Sequence, residues 1–550
     1  MQGTEKLDRK LLDTLSLCGG LVREGSVYRF LAEHRRRLFA DGLFADLFGR
    51  RGWPSVPGSV IATVMVLQAL EGCSDREAVE RLRCDVRWKA AAGLGIDDEG
   101  FDASVLTLWR ARLRSSERPE RVFDAVRAVA GECGVLSNKT RRALDSTVLC
   151  DAVATQDTVT MIASQIRRVR RLVPAAAAVL LGRDYDGRGK PSCDWGDPDE
   201  RGWLIDDLVS DACAVLDALD GAGLSSEQAK AVELLGVVAG QDTEPDPKVP
   251  GRVRIARRVA KGRVISTVDP EARHARKTRS QRRDGYKAHI VAEPDTGLIT
   301  AAELTTADTS DAATGARLLQ QDPTAPHHTT DTTDTDTDTT DTDTADTTDT
   351  DTDDTGDSGD SAGVGVDVEG FVGLVLADSA YASGEALDEF AAAGYATAIK
   401  PINPKPRIAG GFTRDDFDID TDAQTVTCPA GHTKPIASDA ARFGKLCGRC
   451  ALRGRCTTSA AGRSVTVDIY HHRRQANKDR WAEPATKAAY QRHRPMVERS
   501  IAWLTRNKAR RVPYRGVAAN QLWLTNKAAA VNLLRLANLG VTHNNSGFTL

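Results

Sequence analysis

The sequence predicts an α/β fold: a mixed sheet with flanking helices, preceded by an all-helical N-terminal region and interrupted by a β-rich, Cys-containing insertion. Residues 55–135 carry helix caps and apolar residues at helical spacing. Residues 141–150 and 371–376 are short apolar runs of the kind that form buried strands. Residues 402–480 combine Pro, Gly, Cys and β-forming residues, and this composition indicates the insertion.

A chain of 550 residues is long enough for several domains. The predicted segments are a helical N-terminal domain at 1–135, the first part of an α/β core at 136–401, the β-rich insertion at 402–482 and the C-terminal helices of the core at 483–550. Within the first part of the core we expect a helical insertion at 155–250. The Thr/Asp repeat at 325–365 is predicted to be disordered, because a highly charged segment without an apolar face cannot bury a core.

Helix-capping patterns predict the first helices. Ser59 is expected to cap a helix that ends at Gly72, and Ser74 with Glu77 has the sequence of a capping box. Asp102 is expected to cap a third helix. The apolar residues of that helix are predicted to face inward and its arginines outward, namely Val105, Leu108 and Trp109 against Arg110, Arg112 and Arg114. A basic third helix is typical of DNA-reading modules, so Arg110 is a candidate DNA contact, although a plain helical bundle with a basic face has the same pattern.

The net charge of −3 is the sum of one strongly acidic segment and a basic remainder of the chain. Residues 331–360 contain 13 Asp and no Lys or Arg, so the rest of the chain has a net charge of +10. Residues 470–540 hold 15 Lys and Arg against 3 acids, and residues 251–287 hold 13 against 3. A single basic run is often a solvated face. Two such runs favour binding of a nucleic acid, because clustered cations release the counterions of a polyanion.

The composition argues against a secreted or membrane protein. The N-terminus has no apolar run behind its charged residues, and the longest apolar stretch, 174–181, is too short to cross a bilayer. The eleven cysteines are odd in number and mostly scattered, which argues against a disulfide framework. We therefore expect a cytoplasmic protein that does not contact a membrane.

Three acidic residues occupy positions that could converge in the predicted core. Asp145 lies on the first strand, Asp378 follows the later buried strand, and Glu498 lies on a helix that is predicted to begin at Pro495. Mg²⁺ prefers carboxylate oxygens, and two such ions can support in-line phosphoryl displacement. Any one of these acids alone is weak evidence, since acids at strand ends are usually caps or turns.

The local sequences are more specific, and they resemble bacterial insertion-sequence transposases of the DDE class with a β-rich insertion between the second and third acids. The matching stretches are LDSTVL around Asp145, DYDGRGKPSCDWGDPDERG at 184–202, DPEARHARKTRSQRRDGYKAHI at 269–290, LADSAYASGEAL at 376–387, TCPAGHT at 427–433, CGRCALRGRCTTS at 447–459 and RPMVERSIAWL at 494–504. The resemblance runs from about residue 20 to 541, apart from the Thr/Asp repeat.

This resemblance implies an RNase H-like catalytic core and a nucleoid-associated bacterial enzyme. It also implies cleavage at the terminal inverted repeats of a transposon, and strand transfer into target DNA by a homodimer or higher assembly. By position, Asp145, Asp378 and Glu498 take the catalytic roles and would hold Mg²⁺ or Mn²⁺.

Related transposases place a Tyr, an Arg and a Lys near the third acid as phosphate contacts. Arg494 matches the Arg, whereas Tyr490 lies one residue too far upstream and Thr505 stands where a Lys is expected. The remaining candidate DNA contacts are Arg499, Arg506, Lys508 and Lys287. His289, on a predicted strand, is expected to be structural or to face phosphate rather than to act as a base.

A cysteine cluster in the insertion has spacings compatible with zinc: Cys428, His432, Cys447, Cys450 and Cys456. Five candidate ligands for four positions leave the ligand set open, and a reduced, buried cysteine cluster is the alternative. For the whole chain, the alternatives to a transposase are a non-catalytic DNA-binding regulator derived from one and a general nuclease. The Thr/Asp repeat leaves open whether this copy is active.

Overall fold

A computed structural model of the chain describes residues 1–5, 12–187, 189–276, 282–325 and 371–550. The protein forms two compact units. The first comprises Met1–Asn138, Asp145–Asp322 and Met496–Leu550, and the second comprises Lys139–Leu144 and Pro323–Pro495. Nearly all of the predicted Thr/Asp repeat lies outside the described residues, so its predicted disorder stays a prediction. The bounds of the four predicted segments also stay predictions.

The N-terminal part of the first unit is helical, as expected. Its helices are α1 (Thr14–Cys18), α2 (Val27–Leu38), α3 (Gly58–Glu71), α4 (Asp75–Cys84), α5 (Val86–Ala92), α6 (Ser104–Arg114) and α7 (Arg121–Glu132). The capping box of Ser74 and Glu77 is formed, and Gly72 ends α3 with a φ of 71°. The prediction that Ser59 caps α3 is wrong: α3 begins at Gly58, so Ser59 lies inside the helix, and its buried hydroxyl donates to the carboxylate of Glu5.

Helix α6 is rotated relative to the prediction. Its buried face consists of Leu106, Trp109, Arg110 and Leu113, which follow the helical spacing of three and four residues. Leu108, predicted to face inward, is 57% exposed. The sequence pattern failed here because a charged residue, Arg110, occupies the buried stripe.

The next part of the chain builds most of the mixed sheet and a helical subdomain. Its elements are β1 (Arg141–Cys150), α8 (Thr158–Leu172), α9 (Pro174–Ala177), α10 (Pro198–Ala218), α11 (Ser226–Gly240), β2 (Thr243–Pro245), β3 (Val253–Ile255), β4 (Arg273–Arg276), β5 (Arg282–Ala292), β6 (Ile299–Thr306) and α12 (Asp311–Gln320). In the first unit, β5 lies beside β1, and both β4 and β6 pair antiparallel with β5. Helices α8, α10 and α11 enclose a separate apolar core that includes Ile162, Leu208 and Val238.

The second unit contains parallel strands followed by small antiparallel sheets. Its elements, besides the start of β1, are β7 (Gly373–Ala377), α13 (Gly384–Ala392), β8 (Tyr395–Ile399), β9 (Asp418–Asp420), β10 (Thr425–Thr427), β11 (Thr433–Pro435), β12 (Ala440–Arg442), α14 (Arg453–Cys456), β13 (Ser464–Thr466) and α15 (His471–Ala482). Strands β1, β7 and β8 are parallel neighbours, and α13 and α15 pack on β8. The three-residue strands β9 to β13 confirm that residues 402–482 contain β structure.

The C-terminal elements are α16 (Pro484–Leu504), α17 (Val517–Asn538), β14 (Thr542–Asn544) and β15 (Gly547–Thr549). The prediction that Pro495 begins a helix is wrong, because α16 starts at Pro484 and continues through Pro495. A proline inside a helix leaves the carbonyl four residues earlier without its usual donor. That residue is Gln491, which is exposed to water. Helix α17 packs against α3, α7 and β6. None of the described helices is both long and apolar enough to cross a membrane.

Gly285 allows β5 to lie close to β1. It has a φ of 145°, and a Cβ atom there would lie 2.2 Å from the carbonyl oxygen of Leu149 and 2.5 Å from the amide nitrogen of Asp151. Both the positive φ and the main-chain overlap oppose any larger residue.

We expect Gly285→Ala to lower the free energy of unfolding by ~3 kcal/mol, the sum of backbone strain and overpacking. Gly131→Ala is the control, because Gly131 lies in α7 with no atom near its Cβ position and alanine is the better helix former. Chemical denaturation of the full chain measures both variants. Equal stability of the two variants would contradict the close-approach argument.

Candidate functional site

Asp145 and Asp378 are each anchored by a local hydrogen bond at a strand. Asp145 is half-buried on β1, and its Oδ1 accepts from the backbone amide of Ser146 at 2.9 Å. Asp378 directly follows β7, and its Oδ1 accepts from the amide of Ala380 at 2.9 Å, which caps the 3₁₀ turn Ser379–Tyr381. These bonds fix both carboxylates close to the main chain.

The strand register relates the two positions. Ala143 of β1 pairs with Leu376 of β7 in parallel, and the two aspartates each follow their paired residue by two positions. Glu498 lies on α16 and is exposed, next to the fully buried Val497. Asp145 and Glu498 belong to the first unit and Asp378 to the second. Among the described residues, no three His, Cys, Asp or Glu side chains form a metal-binding group.

Two cavities in the first unit collect several of the basic candidates. A cavity of about 640 Å³ is lined by Arg506, Trp503 and Lys527, and the guanidinium of Arg506 lies 4.2 Å from the centre of the Trp503 ring. A second cavity of about 540 Å³ is lined by Lys508, Arg110 and, again, Lys527. Arg506 and Lys508 are exposed, so their charges are available to a polyanion. Arg499 is also exposed, but it lines neither cavity.

Arg110 does not face outward as predicted. It is 5% exposed, pairs with the carboxylate of Asp75 and packs over the ring of Tyr514 at 5.4 Å. The reason is that burial of a guanidinium requires a nearby anion, and Asp75 at the start of α4 supplies it. Arg110 therefore holds α6 against α4, although its end still reaches the second cavity.

The structure also places Lys287, His289 and Arg494 in protected positions. The ammonium of Lys287 lies 3.2 Å from a carboxylate oxygen of Asp311 and donates to the carbonyl of Thr309 at 2.8 Å. The buried ring of His289 bonds to the Thr305 hydroxyl, and burial lowers the pKa of His289 well below its usual value. Arg494 is only 3% exposed. These contacts favour a structural role for His289, which is one of the two roles predicted from the sequence.

Lys527 is a basic residue that the sequence analysis missed. It lies on α17, its ammonium donates to the carbonyl of Ala69 at 2.7 Å, and burial lowers its pKa to about 8. Both cavities reach it. The available signal was that Lys527 is the single charged residue in positions 517–534 of α17.

The cysteine cluster surrounds a small cavity in the second unit. All five predicted ligands line it: Cys428, His432, Cys447, Cys450 and Cys456. Burial raises the pKa of the Cys456 thiol, Arg463 opposes this rise, and the neighbouring Cys thiols add to it. All eleven cysteines of the chain are free.

Three segments of the chain match family profiles. Residues 427–537 and residues 258–337 each match a transposase DDE domain, and residues 19–112 match a transposase domain, DUF772. The chain belongs to the DDE transposases of insertion sequences. Neither the curated proteins nor the solved structures gave a match. Of the three predicted acids, only Glu498 lies within a matched segment of the transposase.

The transposase also contains a buried group of acids near the end of β1. Asp151 is 5% exposed and Asp269 is 1% exposed, and each has a carboxylate oxygen without a hydrogen-bond partner. Burial and, to a smaller extent, the carboxylates of Asp284 and Asp269 raise the pKa of Asp151 to about 6, while Arg511 opposes the rise. The sequence showed Asp151 only as an acid close to Asp145 in the chain.

Because the folded pKa of Asp151 lies above its ordinary value of 3.8, stability from protonated Asp151 is present at low pH and lost as the pH rises through about 6. We expect Asp151→Asn to raise the Tm of the transposase by ~2 °C or more at pH 8 and by roughly half as much at pH 5. Asp217→Asn, at an exposed position on α10, is the control. If Asp151→Asn changed the Tm equally at both pH values, the result would contradict a raised pKa of Asp151 in the folded protein.

Proposed function

We propose that this transposase cleaves DNA at the ends of its element and joins those ends to target DNA by two-metal-ion phosphoryl transfer at Asp145, Asp378 and Glu498. The observation that carries the proposal is the register of β1 and β7. In two parallel strands, residues that follow a pair by the same number of positions are expected to be neighbours. When that number is even, their side chains lie on the same face of the sheet as the side chains of the pair. Ala143 and Leu376 are paired, and Asp145 and Asp378 each follow the paired residue by two positions, as this proposal requires.

The strand arrangement supports an RNase H-like core. Strand β1 pairs in parallel with β7, which is followed by β8, while β5 and β6 form an antiparallel hairpin. Each acid lies on an element of the expected type, since Asp145 is on the first strand of this sheet, Asp378 ends a later strand and Glu498 is on a following helix. The match of residues 427–537 to a transposase DDE domain gives independent support for Glu498.

The three carboxylates fit Mg²⁺ or Mn²⁺, because hard divalent cations prefer oxygen ligands. When bound, such ions activate the attacking oxygen and stabilise the leaving oxygen of the phosphodiester. The carboxylates of Asp145, Asp378 and Glu498 would hold the cations. The half-buried positions of the two aspartates limit the water that competes for them.

We expect Asp145→Asn, Asp378→Asn and Glu498→Gln each to reduce Mg²⁺-dependent cleavage of DNA carrying the element's terminal inverted repeats by at least ~100-fold, since each removes a charged metal ligand. Asp479→Asn, an exposed carboxylate on α15, should cut as the parent does. A gel-based cleavage assay with and without Mg²⁺ measures the effect.

Three outcomes would overturn this assignment. If all three variants cut as well as the parent, the acids are not the catalytic set. If the parent binds its terminal repeats but never cuts them, the chain is a non-catalytic regulator derived from a transposase. Cutting without regard to terminal repeats would instead indicate a general nuclease.

For DNA binding we propose that Arg499, Arg506 and Lys508 contact phosphates of double-stranded DNA. Their exposure supports this role, as does the cavity that Arg506 lines beside Trp503. Lys287 and Arg110 have acidic partners, which favours roles in positioning the surrounding helices and strands. Contact of Arg494 with DNA, and assembly as a homodimer or larger complex on paired ends, remain predictions.

We expect the double variant Arg506→Gln, Lys508→Gln to bind DNA more weakly and to reduce the slope of log K against log salt by about 2, one unit for each lost phosphate contact. Lys230→Gln, at an exposed site on α11, is the control. Fluorescence anisotropy at several salt concentrations provides the slopes. An unchanged slope in the double variant would show that these two cations do not contact phosphate.

A further inference from the structure

The β-rich insertion has little apolar core for its size. Its five strands, β9 to β13, are three residues long each. Its buried core is a small group: Phe417, Val426, Ala441, Phe443, Cys447, Val465 and Val467. Small folds of this kind usually need a disulfide or a metal in addition to apolar burial. The cysteines here are free thiols, so a disulfide does not supply that link.

The thiols converge on one cavity next to this core. The cavity has a volume of about 20 Å³, little more than one water molecule needs, and its walls include the rings of Phe417 and Phe443. Cys428, Cys447, Cys450 and Cys456 all line it. A space of this size, enclosed by thiols and aromatic rings, suits a single dehydrated ion better than an organic ligand.

The backbone around the cysteines has the turns that let thiols point to a common centre. After Cys428 the chain turns sharply: the Gly431 amide donates to the Cys428 carbonyl at 2.8 Å, and the Cys428 amide donates to the His432 carbonyl at 2.9 Å. The Arg463 amide donates to the sulfur of Cys447 at 3.3 Å. A backbone N–H directed at sulfur favours the thiolate, which is the form that binds metal.

We propose that Zn²⁺ binds in this cavity through the four thiolates of Cys428, Cys447, Cys450 and Cys456, and that it stabilises the fold of the insertion. Soft thiolate ligands in a set of four select zinc. Four thiolates with Zn²⁺ carry a net charge of −2, and two arginines that line the cavity, Arg453 and Arg463, offset it. His432 is exposed and is not part of this ligand set. Its backbone carbonyl accepts the hydrogen bond from the Cys428 amide.

The thiols surround the cavity without forming a coordination group in this structure. Zinc binding therefore requires side-chain rotation that draws the sulfurs toward the cavity centre. The short turns that carry Cys428 and Cys450 need no change in the strands for this movement. The proposal concerns the insertion alone and does not depend on the cleavage activity.

The test is the metal content of the full-length protein, purified after expression with zinc and dialysed against metal-free buffer. We expect about one equivalent of zinc in the parent and a loss of at least ~80% in Cys450→Ser and Cys428→Ser. Cys213→Ser, an exposed cysteine on α10, and His432→Ala should keep the parent's content. Mass spectrometry of the metal measures these values.

Two further measurements separate loss of zinc from loss of folding. Replacement of zinc by Co²⁺ in the parent should give the intense near-ultraviolet absorption of thiolate-to-metal charge transfer, at the strength of four thiolates. A strong chelator should increase protease cleavage within 402–482 in the parent but not in Cys450→Ser. Less than about 0.1 equivalent of zinc in the parent would overturn the proposal. Loss of zinc from His432→Ala would overturn the four-thiolate ligand set.

Discussion

The backbone hydrogen bonds of β1 are the constraint on which the rest of the arrangement depends. The first half of the strand pairs in parallel with β7, and its second half lies beside β5, where Gly285 leaves no space for a Cβ atom. A strand with partners along its length cannot slip by one residue, because a slip would turn every side chain to the opposite face. Main-chain pairing therefore sets the face of β1 from which Asp145 projects, and the hydrogen bond from the Ser146 amide holds its carboxylate.

The lysine and arginine side chains of this transposase fall into a buried group and an exposed group. Arg110 and Arg121 are buried against the carboxylates of Asp75 and Asp46, and Lys527 is buried against the carbonyl of Ala69. These buried cations connect neighbouring segments of the fold, so their charges are not available to DNA. A count of Lys and Arg thus overstates the surface available to DNA, and exposure decides which cations can contribute to the salt dependence of binding.

Local patterns in the sequence predicted most elements but not how each one faces its neighbours. The capping box at Ser74 and the glycine end of α3 depend on neighbouring residues only, and both were predicted correctly. The inward face of α6 was wrong because Arg110 is buried by an ion pair with α4 that no local pattern contains. The predicted start of α16 was wrong because a proline can also lie inside a helix, here with the exposed residue Gln491 four positions earlier.

Short segments of the sequence were enough to identify the family, the kinds of element that carry Asp145, Asp378 and Glu498, and the spacing of the cysteines. The raised pKa of Asp151 and the gathering of four thiols around one cavity became visible in the folded chain. Desolvation and convergence depend on residues far apart in the chain. The physical reason is that burial energies are set by long-range packing, which local residue patterns do not encode.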